Sequence, residues 1–186
     1  MLGLALAPKS AHAEWQIKPF GGITFGGSTT FVDFDNAAGE PKLNLGVSGL
    51  WQGEVLGVEG DVATTAGFFS GEGKLILKSH VATVTGNIVV ALPKRIAQYG
   101  LRPYGVVGFG MMDVGLYDNV NALPISRVLA AWDVGGGATG FLSDFVGLNW
   151  DVRYFRSASG NPVSGQSVAS EQLSFWRVTM GISVRL

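Results

Sequence analysis

The chain has 186 residues, a formal net charge of −1 at pH 7 and no cysteine. Without a basic patch or stripe, nucleic acid is not an expected partner. The absence of cysteine excludes disulfides and thiolate chemistry. Two histidines, His12 and His80, are a poor supply of metal ligands, so neither a metal nor another cofactor is expected.

The apolar residues are dispersed along the chain. Hydrophobic residues make up 47% of the sequence, but charged residues only 15%, against about 25% in ordinary globular proteins. No stretch approaches the roughly 18–20 consecutive apolar residues that a membrane-spanning helix needs. Mean hydropathy is nevertheless positive, at +0.30. The apolarity therefore lies in an alternating pattern.

The first thirteen residues, MLGLALAPKSAHA, are predicted to be the end of a secretory signal peptide. An apolar segment precedes Ala11-His12-Ala13, a small-x-small cleavage site, so cleavage is expected after Ala13. Residues 14–186 then form one exported domain.

From Glu14 onward, β-branched and aromatic residues alternate with Gly, Ser, Thr and Asn, a pattern typical of β-strands. Eight strands are predicted, at 14–25, 42–52, 54–66, 79–92, 101–115, 127–141, 144–157 and 171–186. Most reach the roughly 9–11 residues of a tilted membrane-spanning strand. The connections after the even-numbered strands are shorter than those after the odd-numbered strands, as in outer-membrane barrels.

The segment DFVGLNWDVRYFRS, residues 144–157, shows the two faces most clearly. One face carries Val146, Leu148, Trp150 and Val152, and the other carries polar side chains. The polar faces of the other strands are small and sparsely charged, which suits the narrow interior of an eight-stranded barrel. We therefore predict an all-β, eight-stranded antiparallel up-and-down transmembrane β-barrel with a polar, side-chain-filled interior.

Charged side chains on the polar faces need partners, because an unpaired buried ion is costly. The inward candidates are Lys18, Glu59, Asp61, Asp133, Asp151, Arg153, Arg177 and Arg185. A plausible register of the last hairpin places Asp151 opposite Arg177. A structural plug, rather than catalysis, is the expected role of these charges.

Aromatic residues recur near the predicted strand ends, where amphipathic rings favour the level of the lipid headgroups. The expected girdle residues are Trp15, Trp51, Tyr99, Tyr117, Phe141, Tyr154 and Trp176. Trp132 and Trp150 do not fit this pattern. The strand at 101–115 can be apolar on either face, so its phase stays open.

The chain resembles the small outer-membrane β-barrel domains of the opacity-protein and OmpA-like type. The resemblance rests on GVEGDVA (57–63), RPYGVVGFGM (102–111), GGGATGFLSDFVGLNWDVRYFR (135–156) and FWRVTMGISVRL (175–186). It implies an eight-stranded barrel that contacts outer-membrane lipid and is inserted by machinery that recognises its last strand. The alternating residues Val178, Met180, Ile182, Val184 and Leu186 resemble that insertion signal, although its final residue is usually aromatic.

A non-catalytic barrel acting through its loops, in envelope integrity or in contact with an unknown extracellular ligand, is the favoured function. A lipid-modifying enzyme is an alternative, because RYFRSASGNP (153–162) resembles a deacylase pattern. Ser157 would then need a base, but Arg156 cannot act as one. No catalytic residue is therefore assigned. A small-solute channel is a third hypothesis, and a soluble, lipocalin-like binding barrel with an apolar interior is a fourth.

Overall fold

The computed structural model describes residues 13–29, 41–68, 78–93, 96–97, 100–117, 125–158 and 172–186. It contains eight β-strands that close into a barrel in sequence order. They are β1 Glu14–Thr29, β2 Lys42–Gln52, β3 Leu56–Ala66, β4 Lys78–Ala91, β5 Leu101–Tyr117, β6 Ile125–Phe141, β7 Val146–Ser157 and β8 Leu173–Arg185.

Every strand pairs antiparallel with its neighbours, and β1 pairs with β8 to close the barrel. The predicted fold class is therefore confirmed. The strand ends define two ends of the barrel. One end, which we call the turn end, has the first residue of β1, the last residue of β8 and the strand ends that the short connections join. The opposite end, which we call the loop end, has the strand ends that the longer connections join.

The side chains alternate between the barrel interior and the outer surface, as β3 illustrates. Its burial alternates without exception from Leu56 to Ala66. Glu59 and Asp61 are buried, whereas Val58 and Val62 are at least half exposed. This is the reverse of a soluble protein. The structure therefore does not support the lipocalin-like hypothesis, which needs an apolar interior.

The phase of β5, which was open in the sequence, is settled by burial. Arg102 and Val106 are buried inside, whereas Val107, Phe109 and Met111 are exposed outside. From Leu101 to Met111 the strand rises by about 3.3 Å per residue. With a strand tilt of about 40°, this segment covers about 25 Å along the barrel axis. This matches the height of the apolar band of outer-membrane barrels.

β3 and β7 begin later than predicted because turns occupy the first residues of the predicted strands. The amide of Gly53 donates to the carbonyl of Leu56 at 2.8 Å, so β3 begins two residues later than expected. Ser143 Oγ accepts from the amide of Val146, which delays β7 in the same way. β1 is longer than expected, and an irregularity between Phe25 and Ser28 lies in its pairing with β8.

Glycine gives the interior room for large side chains. A Cβ on Gly46 would lie 2.5 Å from the ring of Phe20, and one on Gly181 would lie 2.8 Å from the Cβ of Phe20. Phe20 therefore packs inside because both neighbouring strands present glycine beside it.

None of the described residues belongs to a helix with the length and apolarity needed to cross a membrane.

The outward face of β3 provides a test of the membrane arrangement. We expect Val62→Arg, near the middle of the apolar band, to destabilise the barrel in lipid vesicles by about 2–4 kcal/mol. Ala66→Arg, on the same face at the loop end, should cost about 0–1 kcal/mol. Urea unfolding followed by tryptophan fluorescence measures both. Equal effects of the two substitutions would contradict the proposed depth.

Candidate functional site: the barrel interior

The middle of the barrel holds a layer of buried charged side chains, which we call the ionic layer. Its members are Lys18, Glu59, Asp61, Asp133, Asp151, Arg153 and Arg177. Each is at most 3% exposed, and they come from β1, β3, β6, β7 and β8. The structure thus places seven of the eight inward charge candidates together. Their role as a structural plug stays a prediction.

Arg153 is the most connected residue of the ionic layer. Its guanidinium contacts Glu59 on β3 at 2.7 Å and Asp151 on its own strand at 2.7 Å. A third carboxylate, that of Asp133, lies 3.7 Å away, within ion-pair range but outside hydrogen-bond range. Lys18 donates to the second oxygen of Glu59 at 2.5 Å. Through Glu59, these contacts connect β1, β3 and β7 across the interior.

Arg177 forms a second ion pair of the layer, with Asp61 at 2.9 Å. Its guanidinium also lies over the rings of Phe155, at 4.5 Å, and Phe20, at 5.1 Å. The predicted Asp151–Arg177 pair is wrong, because Asp151 lies opposite Thr179 in the register of β7 and β8. Alternation fixes the face of a strand but permits register shifts of two residues, and here the shift puts Arg177 opposite Arg153.

Polar residues without charge support the ionic layer. The hydroxyl of Tyr104 donates a hydrogen bond to Asp151 at 2.7 Å and accepts one from the side-chain amide of Asn149 at 3.0 Å. Asn87 donates to Glu59 at 3.2 Å. Sequence reasoning missed Tyr104 as a partner of the charges because the phase of β5 was open. The local sequence Arg-Pro-Tyr does not indicate that the tyrosine faces the interior.

Apolar side chains cover the ionic layer on both sides. The larger group, which we call the loop-end cluster, consists of Phe68, Val81, Met112, Val114, Ala131, Phe155, Leu173 and Phe175. Leu50, Val89 and Val106 form the smaller turn-end cluster. The interior is filled with side chains, as predicted, and its middle is polar. Its loop end is more apolar than the sequence suggested.

Two residues at the turn end lie elsewhere than predicted. Arg185 lies at the mouth of the barrel, paired with Glu14 at 2.9 Å, rather than in the ionic layer. Its guanidinium lies 3.9 Å from the ring centre of Phe141. Phe141 lies on the same inward face of β6 as Thr139 and lines the interior, so it does not belong to a lipid-facing girdle.

Arg102 is a buried inward residue that the sequence analysis missed. It donates to the carbonyls of Leu92, Gly53 and Glu54 at 2.9, 3.1 and 2.6 Å. One side chain thereby holds two separate turns together. A cavity of about 240 Å³ opens beside it, lined by Ala97, Gly100, Arg102, Phe141 and Arg185.

The remaining aromatic residues of the predicted girdle lie on the outer wall where the structure describes them. Trp15 and Trp51 are cross-strand partners at the turn end and are about half exposed. Tyr154 and Trp176 lie nearer the loop end, with ring centres 5.1 Å apart. Trp132 packs on Tyr154 at 5.9 Å, so it joins this row against expectation. Tyr99 lies outside the described residues, as does the side chain of Tyr117.

The candidate nucleophile Ser157 and His80, which is the only histidine in residues 14–186 and so the candidate base, lie on opposite sides of the barrel wall. Ser157 is buried inside, and its hydroxyl accepts from the amide of Leu173 at 2.9 Å. His80 lies on the outer face of β4, beside Asp113 at 3.9 Å. They cannot form a nucleophile–base pair, which needs hydrogen-bond contact. Among the described residues, no cluster of three His, Asp or Glu side chains is arranged to hold a metal ion.

A closed barrel with lipid-compatible residues outside and ions inside defines a small membrane-spanning β-barrel of the outer-membrane type. No protein-family model and no curated protein matches the sequence.

Three solved structures with the same fold are distant from this chain in sequence. Neisserial surface protein A superposes with a TM-score of 0.70 at 10% identity, over 92% of this chain and 97% of that chain. OprG from Pseudomonas aeruginosa gives 0.58 at 16%, over 95% and 97%. Ail, the attachment invasion locus protein of Yersinia pestis, gives 0.55 at 15%, over 92% and 98%. These likenesses show the fold, and they agree with the architecture that the sequence resemblance implied.

Arg153 and Arg156 offer a matched test of the ionic layer, since they lie on opposite faces of β7. We expect Arg153→Met to destabilise the barrel by about 3–5 kcal/mol, because it leaves buried carboxylates without their cation. Arg156→Met, on the exposed face, should change the free energy of unfolding by about 0.5 kcal/mol or less. Urea unfolding in vesicles measures both, and a silent Arg153→Met would contradict a structural role for the layer.

Proposed function

We propose that this protein is a non-catalytic integral outer-membrane β-barrel that presents its loop-end connections outside the cell. The observation that carries the proposal is the inverted pair of faces, because lipid is the environment in which exposed Val, Ile, Leu and Phe are stable. The signal-peptide prediction for residues 1–13 agrees with export, although residues 1–12 lie outside the described residues. The apolar residues at alternate positions of β8 agree with recognition of this strand by the insertion machinery.

The barrel itself offers a rigid platform rather than a route for solutes. Two apolar clusters cover the ionic layer from both sides, and an interior cavity next to Leu50 and Tyr104 measures about 10 Å³. A volume of that size is at the lower limit for a single water molecule. A channel is therefore the weaker hypothesis, and the function belongs to the connections at the loop end.

The composition of these connections disfavours a polyanionic ligand. Residues 30–41, 67–77, 118–124 and 158–172 together contain six acidic residues and one lysine. The Yersinia pestis protein Ail, an attachment invasion locus protein, has been crystallised with the heparin analogue sucrose octasulfate. The acidic connections of this chain are poorly matched to such a polyanion. We propose a neutral or basic surface as the partner instead.

Single cysteines test the orientation, because the natural chain has none. We expect a membrane-impermeant maleimide to label Ser164→Cys in intact cells, since residue 164 belongs to a long connection. Ser143→Cys, in a turn at the opposite end, should react only after the cells are broken. Recovery of the protein in the soluble fraction, or labelling of Ser143→Cys in intact cells, would overturn the proposed orientation.

Planar-bilayer recordings test the closed interior. We expect no stepwise conductance from the reconstituted protein, because side chains fill the lumen. A general porin in the same bilayers serves as the positive control. Reproducible single-channel steps from the purified barrel would favour the solute-channel hypothesis.

A further inference from the structure

Asp133 is the one carboxylate of the ionic layer that lacks a close cation. Glu59, Asp61 and Asp151 each contact a cationic nitrogen at 2.9 Å or less. The nearest cationic nitrogen to Asp133, on Arg153, is 3.7 Å away. Neither oxygen of Asp133 accepts a hydrogen bond from the described residues, although its side chain is fully buried. An isolated buried carboxylate is among the most costly groups in a protein.

The ionic layer also contains more negative than positive side chains. Four carboxylates, those of Glu59, Asp61, Asp133 and Asp151, lie with three cations, those of Lys18, Arg153 and Arg177. Arg102 does not correct this, because it binds carbonyls at the turn end. It also lies six residues along β5 from Gly108, the cross-strand partner of Asp133, or about 20 Å of strand. Among the described side chains, the layer carries one negative charge in excess.

A second unsatisfied oxygen faces Asp133. Asn87 is buried and donates its amide to Glu59, but its Oδ1 has no donor among the described residues. Asn87 and Asp133 are the partners of Gly108 on its two neighbouring strands. A Cβ on Gly108 would lie 1.8 Å from Asn87 Oδ1 and 2.6 Å from Asp133 Oδ1. These two oxygens are therefore at most 4.4 Å apart, the sum of those distances.

Further oxygens lie beside this pair. Thr85 is on the same inward face of β4, two residues from Asn87, and Asp61 is its cross-strand partner on β3. Thr85 Oγ1 and Asp61 Oδ2 are also buried without a hydrogen-bond partner among the described residues. Arg153 Nη1 is a buried donor that also lacks a partner, but at 3.7 Å from Asp133 Oδ2 it is outside hydrogen-bond range. Carboxylate, amide and hydroxyl oxygens that accept no hydrogen bond suit a hard cation.

We propose that Asp133 Oδ1 and Asn87 Oδ1, above Gly108, bind one sodium ion that neutralises the ionic layer. A monovalent ion matches the single excess charge, whereas a divalent ion would reverse it. Sodium has nearly the radius of calcium, whose oxygen contacts are about 2.3–2.6 Å long. Two such contacts reach oxygens up to about 5 Å apart, which includes this pair. Potassium is larger, and an interior that is filled with side chains leaves less room for it.

The position of the site determines how it is measured. The loop-end and turn-end clusters close the interior, so sodium enters during folding and acts on the folding equilibrium. A ligand that binds only the folded state lowers the unfolding constant about a hundredfold at 100 times its dissociation constant. This inference concerns the interior and does not depend on what the loop-end connections bind.

The test is urea unfolding of the barrel in vesicles of neutral phospholipid, at constant pH and constant ionic strength. Sodium chloride is exchanged stepwise for N-methyl-D-glucamine chloride, and potassium chloride forms a third series. We expect the unfolding midpoint to rise with sodium and to saturate, with a smaller rise in potassium. Equal midpoints in all three salts would overturn the proposal, and so would equal effects of sodium and potassium.

Two substitutions locate the effect. Asp133→Asn removes the excess charge and should abolish the sodium dependence. Asp144→Asn, in the exposed turn 142–145, changes the net charge of the chain equally and should retain it. Sodium dependence that survives in Asp133→Asn would place the ion elsewhere and refute the site. The salt series on the natural protein remains decisive if Asp133→Asn does not fold.

Discussion

The interior of an eight-stranded barrel is only wide enough for side chains, and this narrowness governs the rest of the structure. A charge on one wall is always within reach of the opposite wall. Arg177 on β8 therefore reaches Asp61 on β3, and Arg153 on β7 reaches Glu59 on the same strand. These contacts connect strands that do not pair with each other.

The same narrowness explains why polar and apolar layers alternate along the barrel axis. A buried ion pair offsets the cost of its desolvation only when its geometry is good and further hydrogen bonds satisfy its polar groups, and the attraction between its charges is stronger where water is excluded. The loop-end cluster excludes water from one side, where Phe155 stacks on Phe175 with ring centres 5.2 Å apart. Arg177 lies against the ring of Phe155 and thereby connects the two layers. Charge and apolar packing support each other here.

Alternation in the sequence is sufficient to predict eight strands and the direction of nearly every face, because period two is a local property. It does not determine register, and the Asp151–Arg177 error shows the difference. Arg102 and Tyr104 were missed because both faces of β5 are apolar enough to meet lipid. Phe141 was misplaced because an aromatic residue at a strand end can face either way.

The loop-end cluster was visible in the sequence only as single residues. Phe175, Met112 and Val81 lie on three different strands, and neither their depth nor their proximity follows from local alternation. They meet because the stagger of the strands around a closed barrel places them at the same height. Such contacts depend on all eight registers together.

The pairing of β1 with β8 has a consequence for biosynthesis. Gln16 lies opposite Arg185, and the carbonyl of Trp15 accepts from the amide of Leu186 at 2.9 Å. The first and last strands must therefore meet before the cylinder exists. A nascent chain that lacks β8 has two unpaired sheet edges and an exposed apolar outer face, and both promote aggregation. The cylinder therefore closes only after β8 has been synthesised, so barrel formation cannot finish while only the other seven strands exist.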